Sequence, residues 1–190
     1  MSNVRECITP EMAEWITKQR MFFVGTAPLA AEGHVNLSPK GGEAFKILGP
    51  LEVAYQDYTG SGAETAAHVR ENGRIVIMFC AFEGPPKIVR LHGRGTLITP
   101  GHERFEELRQ QFPANPGTRA FLHITVTRVS DSCGYSVPFY EYVGDRDILD
   151  KWAVAQGPAK VVEYRVRKNQ RSIDGLPAFD AKQQLTNDSH

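Results

Sequence analysis

Seven short segments of strand character follow one another along this chain with only brief helical stretches between them. They run over residues 21–27, 34–38, 45–48, 52–57, 74–82, 87–98 and 121–129. A doubly wound parallel sheet needs a crossover of about a dozen residues or more, usually a helix, between successive strands. Strand and helix do not alternate strictly here, so an antiparallel barrel is predicted. Apart from Arg74, residues 74–82 (RIVIMFCAF) are uninterruptedly apolar, the pattern of a strand buried on both faces. Residues 87–98 place Val89, Leu91 and Leu97 on one face and Arg90, His92 and Arg94 on the other, and 121–129 point Leu122, Ile124 and Val126 inward. Gly33 turns the first strand into the second as a hairpin, which Pro39-Lys40-Gly41-Gly42 is expected to break.

Three helices are predicted inside this frame. Thr9-Pro10 opens the first, with Met12, Trp15 and Ile16 on one face. The second runs from Gly62 to Glu71 and ends at Asn72-Gly73, and the third follows Thr99-Pro100 with Phe105, Leu108 and Phe112 at helical spacing. From Ser130 the character changes, which divides the chain into a barrel over 1–130 and an extension over 131–190. The extension carries an aromatic cluster (Phe139, Tyr140, Tyr142) and two helical stretches, 148–155 and 159–168, and its residues 180–190 are polar and expected to fray. It holds too few apolar residues for its own core, so it is expected to pack on the barrel or on a partner subunit.

Charge and motif content exclude several functions. Lysine and arginine number 22 and so do aspartate and glutamate, a balance that argues against a dedicated nucleic-acid binder. No apolar run reaches membrane-spanning length and no leader pattern opens the chain. Cys7, Cys80 and Cys133 are odd in number and far apart, so neither a disulfide framework nor a zinc signature is present and a reducing cytoplasm is the expected location. The histidines form no HxxxH or HExxH pair, and no metal is expected. GxxxxGK, GxGxxG and GxSxG are all absent. Cys133 reads as a small buried thiol and Cys80 as core. Arg90 and Arg94 read as a solvated face or as a ligand patch.

One stretch carries chemistry. Tyr55-Gln56-Asp57-Tyr58 ends a strand, Thr59-Gly60-Ser61-Gly62 turns tightly, and a helix begins. Amides at a helix start lack backbone partners and favour anions. With the loop 36–42 beside it, a phosphate could be held by Lys40, the hydroxyls of Ser61 and Thr65 and the helix amides. The plain alternative is a capping box, because Glu64 stands three residues after Ser61.

The strings FVGTA, HVNLSPKGG, VAYQDYTGSGAET, ENGRIVIMFCAF and RLHGRGTLI together resemble the pyridoxamine 5′-phosphate oxidase-like family of FMN-binding split barrels, over residues 22–129. The pieces SPKG, FCAFEGPP, SCGY with VP, and SIDGLP look closest to its oxidase-related subgroup. The resemblance implies a mainly β fold, a six-stranded antiparallel split β-barrel with a helical C-terminal extension, forming a homodimer with FMN at the subunit interface. It implies an FMN-dependent oxidoreductase acting on a small organic substrate. The alternatives are a non-enzymatic FMN-binding or flavin-sequestering dimer, or a barrel that binds haem or a deazaflavin. Ser38, Lys40, Ser61 and Thr65 match the phosphate-holding positions, and Tyr55, Gln56, Asp57, Tyr58 and Thr59 would run beside the flavin ring. Two departures stand out: Glu64 and Thr65 replace a basic pair, and the C-terminal substrate motif is unrecognisable, with Arg167, Lys168 and Arg171 as candidate substitutes. No catalytic residue is assigned; Tyr58, Tyr135 and His92 are candidates for moving a proton.

Overall fold

The structure is a computed structural model that describes residues 3–181. Along the chain lie β1 (Asn3–Arg5), α1 (Pro10–Thr17), β2 (Met21–Thr26), β3 (Asn36–Gly41), β4 (Phe45–Gly49), β5 (Glu52–Tyr58), α2 (Glu64–Asn72), β6 (Arg74–Cys80), β7 (Ile88–Ile98), α3 (Phe105–Gln111), β8 (Thr118–Ser132) and α4 (Ile148–Lys168). All strand pairings are antiparallel, in the order β3-β2-β6-β7-β8-β5-β4, with β1 added to β8.

The sheet curls until its two ends meet through aromatic rings. Phe22 on β2 lies 5.2 Å from Phe45 on β4 and 5.6 Å from Tyr55 on β5, and Phe45 lies 5.0 Å from Phe79 on β6. β3 and β4 do not pair, so the barrel stays split along that seam. Val24, Val53, Ile77, Val89, Leu91, Leu122 and Ile124 fill the interior with essentially no exposure, and Met12 and Ile16 of α1 pack against them. Each such side chain contributes about 1.5–3 kcal/mol by leaving water. α1 starts where its sequence predicts: Thr9 Oγ1 accepts from Met12 N at 3.3 Å, and Pro10 holds the first helical position.

The fold is the expected mainly antiparallel split barrel with flanking helices, and the differences are local. Eight strands form where the resemblance implies six. All seven strand-like segments pair, and the eighth, β1, is three exposed residues that no apolar pattern marks. Pro39-Lys40-Gly41 does not break β3 but completes it. β3 pairs only with β2, so Pro39 needs no ladder N–H on its open side. β8 begins three residues earlier than its apolar alternation indicates, with Thr118 and the buried Arg119. The two helical stretches of the extension form α4, interrupted at Gly157, whose φ of 74° only glycine adopts readily, followed by Pro158. The tail expected to fray lies outside the described residues from 182 onward. No helix among the described residues is long and apolar enough to cross a membrane.

Candidate functional site

Strand alternation aims Asn36, Ser38 and Lys40 of β3 to one side, where they are partly buried, while Leu37, Pro39 and Gly41 are exposed. On that side a chain of hydrogen bonds joins β3 to α2. Ser38 Oγ donates to Asn36 Oδ1 (3.1 Å), Asn36 Nδ2 donates to Thr65 Oγ1 (3.0 Å) and Thr26 Oγ1 (3.2 Å), and Thr26 Oγ1 lies 3.0 Å from His68 Nδ1. Two residues further along β3, Lys40 Nζ stands 3.5 Å from Asp57 Oδ1 at the end of β5. The other oxygen of Asp57 accepts from Arg119 Nε at 2.6 Å. Burial works against the Asp57 charge, but the Arg119 guanidinium and the Lys40 ammonium outweigh it and hold the carboxyl below its ordinary value. Two cations and one carboxylate leave this cluster with a net positive charge.

The start of α2 is not closed by a capping box. Ala63 occupies the N-cap position with no side-chain bond to the helix, and Ser61 is exposed. Glu64 reaches past the helix start with one oxygen, Oε1 accepting from Ile173 N at 3.3 Å, while Oε2 stays beside Gly62. The N-cap residue therefore supplies no side-chain bond to the first amides of α2. The charge opposite them is mixed, since Lys40 stands on β3 and Glu64 belongs to the helix start itself. Burial pulls the His68 imidazole below its ordinary value, so it is neutral near pH 7 and adds no cation.

The predicted site residues thus divide. Ser38, Lys40, Asp57 and Thr65 come together, with Asn36 joining Ser38 to Thr65. Tyr55 is fully buried with its ring against Phe22, and its hydroxyl, beside Thr65, makes no hydrogen bond of ordinary geometry. Burial, with the Asp57 charge adding to it, pushes its phenol well above the ordinary value. Gln56 and Tyr58 bond each other (3.1 Å) on the opposite face of β5, where Gln56 Nε2 reaches Thr118 Oγ1 at 2.6 Å. Thr59 Oγ1 donates to Gly117 O at 2.8 Å. Ser61 joins none of these groups.

A buried hydroxyl without a well-formed hydrogen bond costs about 1–3 kcal/mol. Tyr55→Phe is accordingly expected to leave the apo protein as stable or more stable, in contrast to the loss that follows when a bonded tyrosine is truncated. A fall of more than about 1 kcal/mol in urea unfolding would show that the hydroxyl is bonded after all.

Several residues of the site escape a reading by pattern. Arg119, Arg165 and Asn169 are buried, and each bonds the turn after β5. The one available signal was Arg119, a charge adjoining an apolar run. Cys133, expected to be buried, is exposed. It follows the last residue of β8 and lines a cavity of about 390 Å³ with Trp15, Pro85, Pro86, Lys87 and Asp131, at the ends of β6 and β7 remote from α2. Among the described residues, no group of three or more His, Cys, Asp or Glu side chains could hold a metal ion.

Comparison with known proteins adds the ancestry. Residues 8–133 match the family model described as pyridoxamine 5′-phosphate oxidase. The pyridoxamine 5′-phosphate oxidase family protein ustO of Aspergillus flavus is 36% identical over 191 aligned residues, covering 92% of this chain and 76% of that protein. Among solved structures, HupZ from group A Streptococcus superposes with a TM-score of 0.51 at 26% identity, covering 64% of this chain and 91% of that one. A putative pyridoxamine 5′-phosphate oxidase from Lactobacillus delbrueckii also reaches 0.51, at 12% identity over 66% of this chain and 94% of its own, a likeness of fold alone.

Proposed function

This chain belongs to the pyridoxamine 5′-phosphate oxidase family, and from that premise we propose that it binds FMN at the β3–α2 seam and acts as a flavin-dependent oxidoreductase on a small organic substrate. The carrying observation is the uncapped start of α2 facing a set of donors on β3. A phosphate monoester offers only acceptor oxygens at neutral pH, so it needs hydroxyls, amides and a cation. The Thr65 hydroxyl, the first amides of α2 and the Lys40 ammonium have that chemistry, and the Ser38 hydroxyl joins them on turning its proton away from Asn36. Bound there, FMN would supply two-electron redox chemistry. The protein's part is to hold the phosphate, orient the ring and exclude water.

Proton handling by the chain is restricted. Asp57 is held ionised between two cations, and Tyr55 is held protonated in the core. Neither is poised to exchange a proton near neutral pH. That fits a hydride transfer needing no side-chain base, and it equally fits a second reading in which the protein carries a flavin without turning it over. In either reading it works as a homodimer. The exposed apolar side chains of Tyr135, Phe139, Tyr140, Val143 and, on β3, Leu37 supply surface for a second copy.

The test is an absorption spectrum after mixing with excess FMN and desalting, followed by anaerobic addition of NADH or NADPH. Retained flavin bands that bleach on reduction are expected. Retained bands that no donor bleaches would favour the carrier, and a colourless protein would end the flavin reading. A Soret band on the purified protein would instead point to haem.

A further inference from the structure

The turn between β5 and α2 is gripped from behind by residues distant in sequence. Gly60 O accepts from Asn169 Nδ2 (2.8 Å) and from Arg119 Nη1 (3.4 Å), and Gly62 O accepts from Arg119 Nη2 (2.9 Å). Thr59 Oγ1 accepts from Arg165 Nε (2.7 Å), whose Nη2 also reaches Thr118 O (2.9 Å). The chain past α4 then lies along α2. Arg70 Nη1 donates to Ala178 O (2.6 Å), and Ala178 and Phe179 pack on Ala63, Ala66 and Ala67. Ile173 N draws the Glu64 carboxylate toward this segment, and Asp174 accepts from His34 N at 2.8 Å.

Peptide geometry gives this grip a consequence. In a trans peptide the C=O and the N–H point in opposite directions, and no cis bond occurs among the described residues. Donors fixed on the carbonyls of Gly60 and Gly62 therefore turn the N–H groups of Ser61 and Ala63 away from Arg119 and Asn169. A free glycine-rich turn could instead swing those carbonyls toward an incoming anion and repel it. Dipoles already aimed need no reorganisation when the anion arrives. Arg165, Asn169 and the segment 173–179 all lie beyond residues 8–133, the part that the family model matches.

We propose that Asn169 and Arg165, together with Arg119, are positioning residues that make this turn select a flavin bearing a terminal phosphate over one without it. The proposal rests on the FMN reading above. It makes the C-terminal extension part of cofactor selection without contact to the cofactor.

The experiment compares dissociation constants for FMN and riboflavin by fluorescence quenching in the full chain, with the apo melting temperature measured alongside. Asn169→Leu keeps the branching at Cγ but removes the donor to Gly60. It is expected to weaken FMN about tenfold while changing riboflavin by less than about threefold. Arg165→Lys keeps the charge and a donor for Thr59 but loses the fork, and a smaller drop in selectivity is expected. It is also the variant to read if Asn169→Leu fails to fold. An FMN-to-riboflavin ratio equal to that of the wild type in a folded variant, or equal weakening of both flavins, would overturn the positioning role. A wild-type protein that holds FMN no tighter than riboflavin would fail earlier, and would overturn the phosphate reading itself.

Discussion

Asp57→Ala is expected to lower folding stability by about 3–5 kcal/mol, because it leaves the Arg119 guanidinium buried without its carboxylate. Arg119 and Asp57 expose only 6% and 4% of their side chains, so water cannot take over the lost partner. The turn carbonyls that Arg119 also contacts are neutral and compensate in part. The pH dependence has a definite sign. The folded carboxyl titrates below its reference value of 3.8, so its contribution is complete above that value and lost as pH falls through the lower folded one. Urea unfolding of wild type and variant should therefore differ most at neutral pH and converge in acid. A neutral-pH difference below about 1 kcal/mol would mean that the carbonyls alone satisfy Arg119.

Lys40→Ala separates binding from folding. Losing a charge-assisted bond to a phosphate should weaken FMN by about 1.5–3 kcal/mol, roughly 10- to 150-fold in dissociation constant. Stability should change by less than about 1 kcal/mol, since the Lys40 contact with Asp57 is long, partly exposed and backed by Arg119. Unchanged FMN affinity would reduce Lys40 to a counter-ion of Asp57. A variant that binds FMN normally but unfolds easily would invert the assignment altogether.

How far the chain could be read from its residues differs from element to element. Thr9-Pro10 announces α1 because a hydroxyl N-cap and a proline at the first position are local chemistry, complete within four residues. The alternation of Leu122, Ile124 and Val126 announces a buried strand because side-chain direction along a strand has a fixed period. The apolar run 74–82 announces β6 but not burial on both faces, since Val76 and Met78 are only partly buried. The same local logic misled at Ser61 and Glu64. Their spacing suits a capping box, but the backbone amide of Ile173, 109 residues away from Glu64, offers its carboxylate another partner. Pro39 misled likewise, since a proline that would break a central strand is harmless on an edge.

What the sequence determined on its own is therefore what neighbours along the chain decide: strand periods, the opening of α1 and the turn into α2. The assembled fold decided which charges meet. Asn36 links Ser38 to Thr65 across 29 residues, Arg119 reaches Asp57 across 62, and Asn169 reaches Gly60 across 109. Hydrogen bonds of that kind depend on a donor and an acceptor arriving within about 3 Å of each other. No local propensity encodes that separation, and only closure of the barrel and return of the C-terminal segment bring it about.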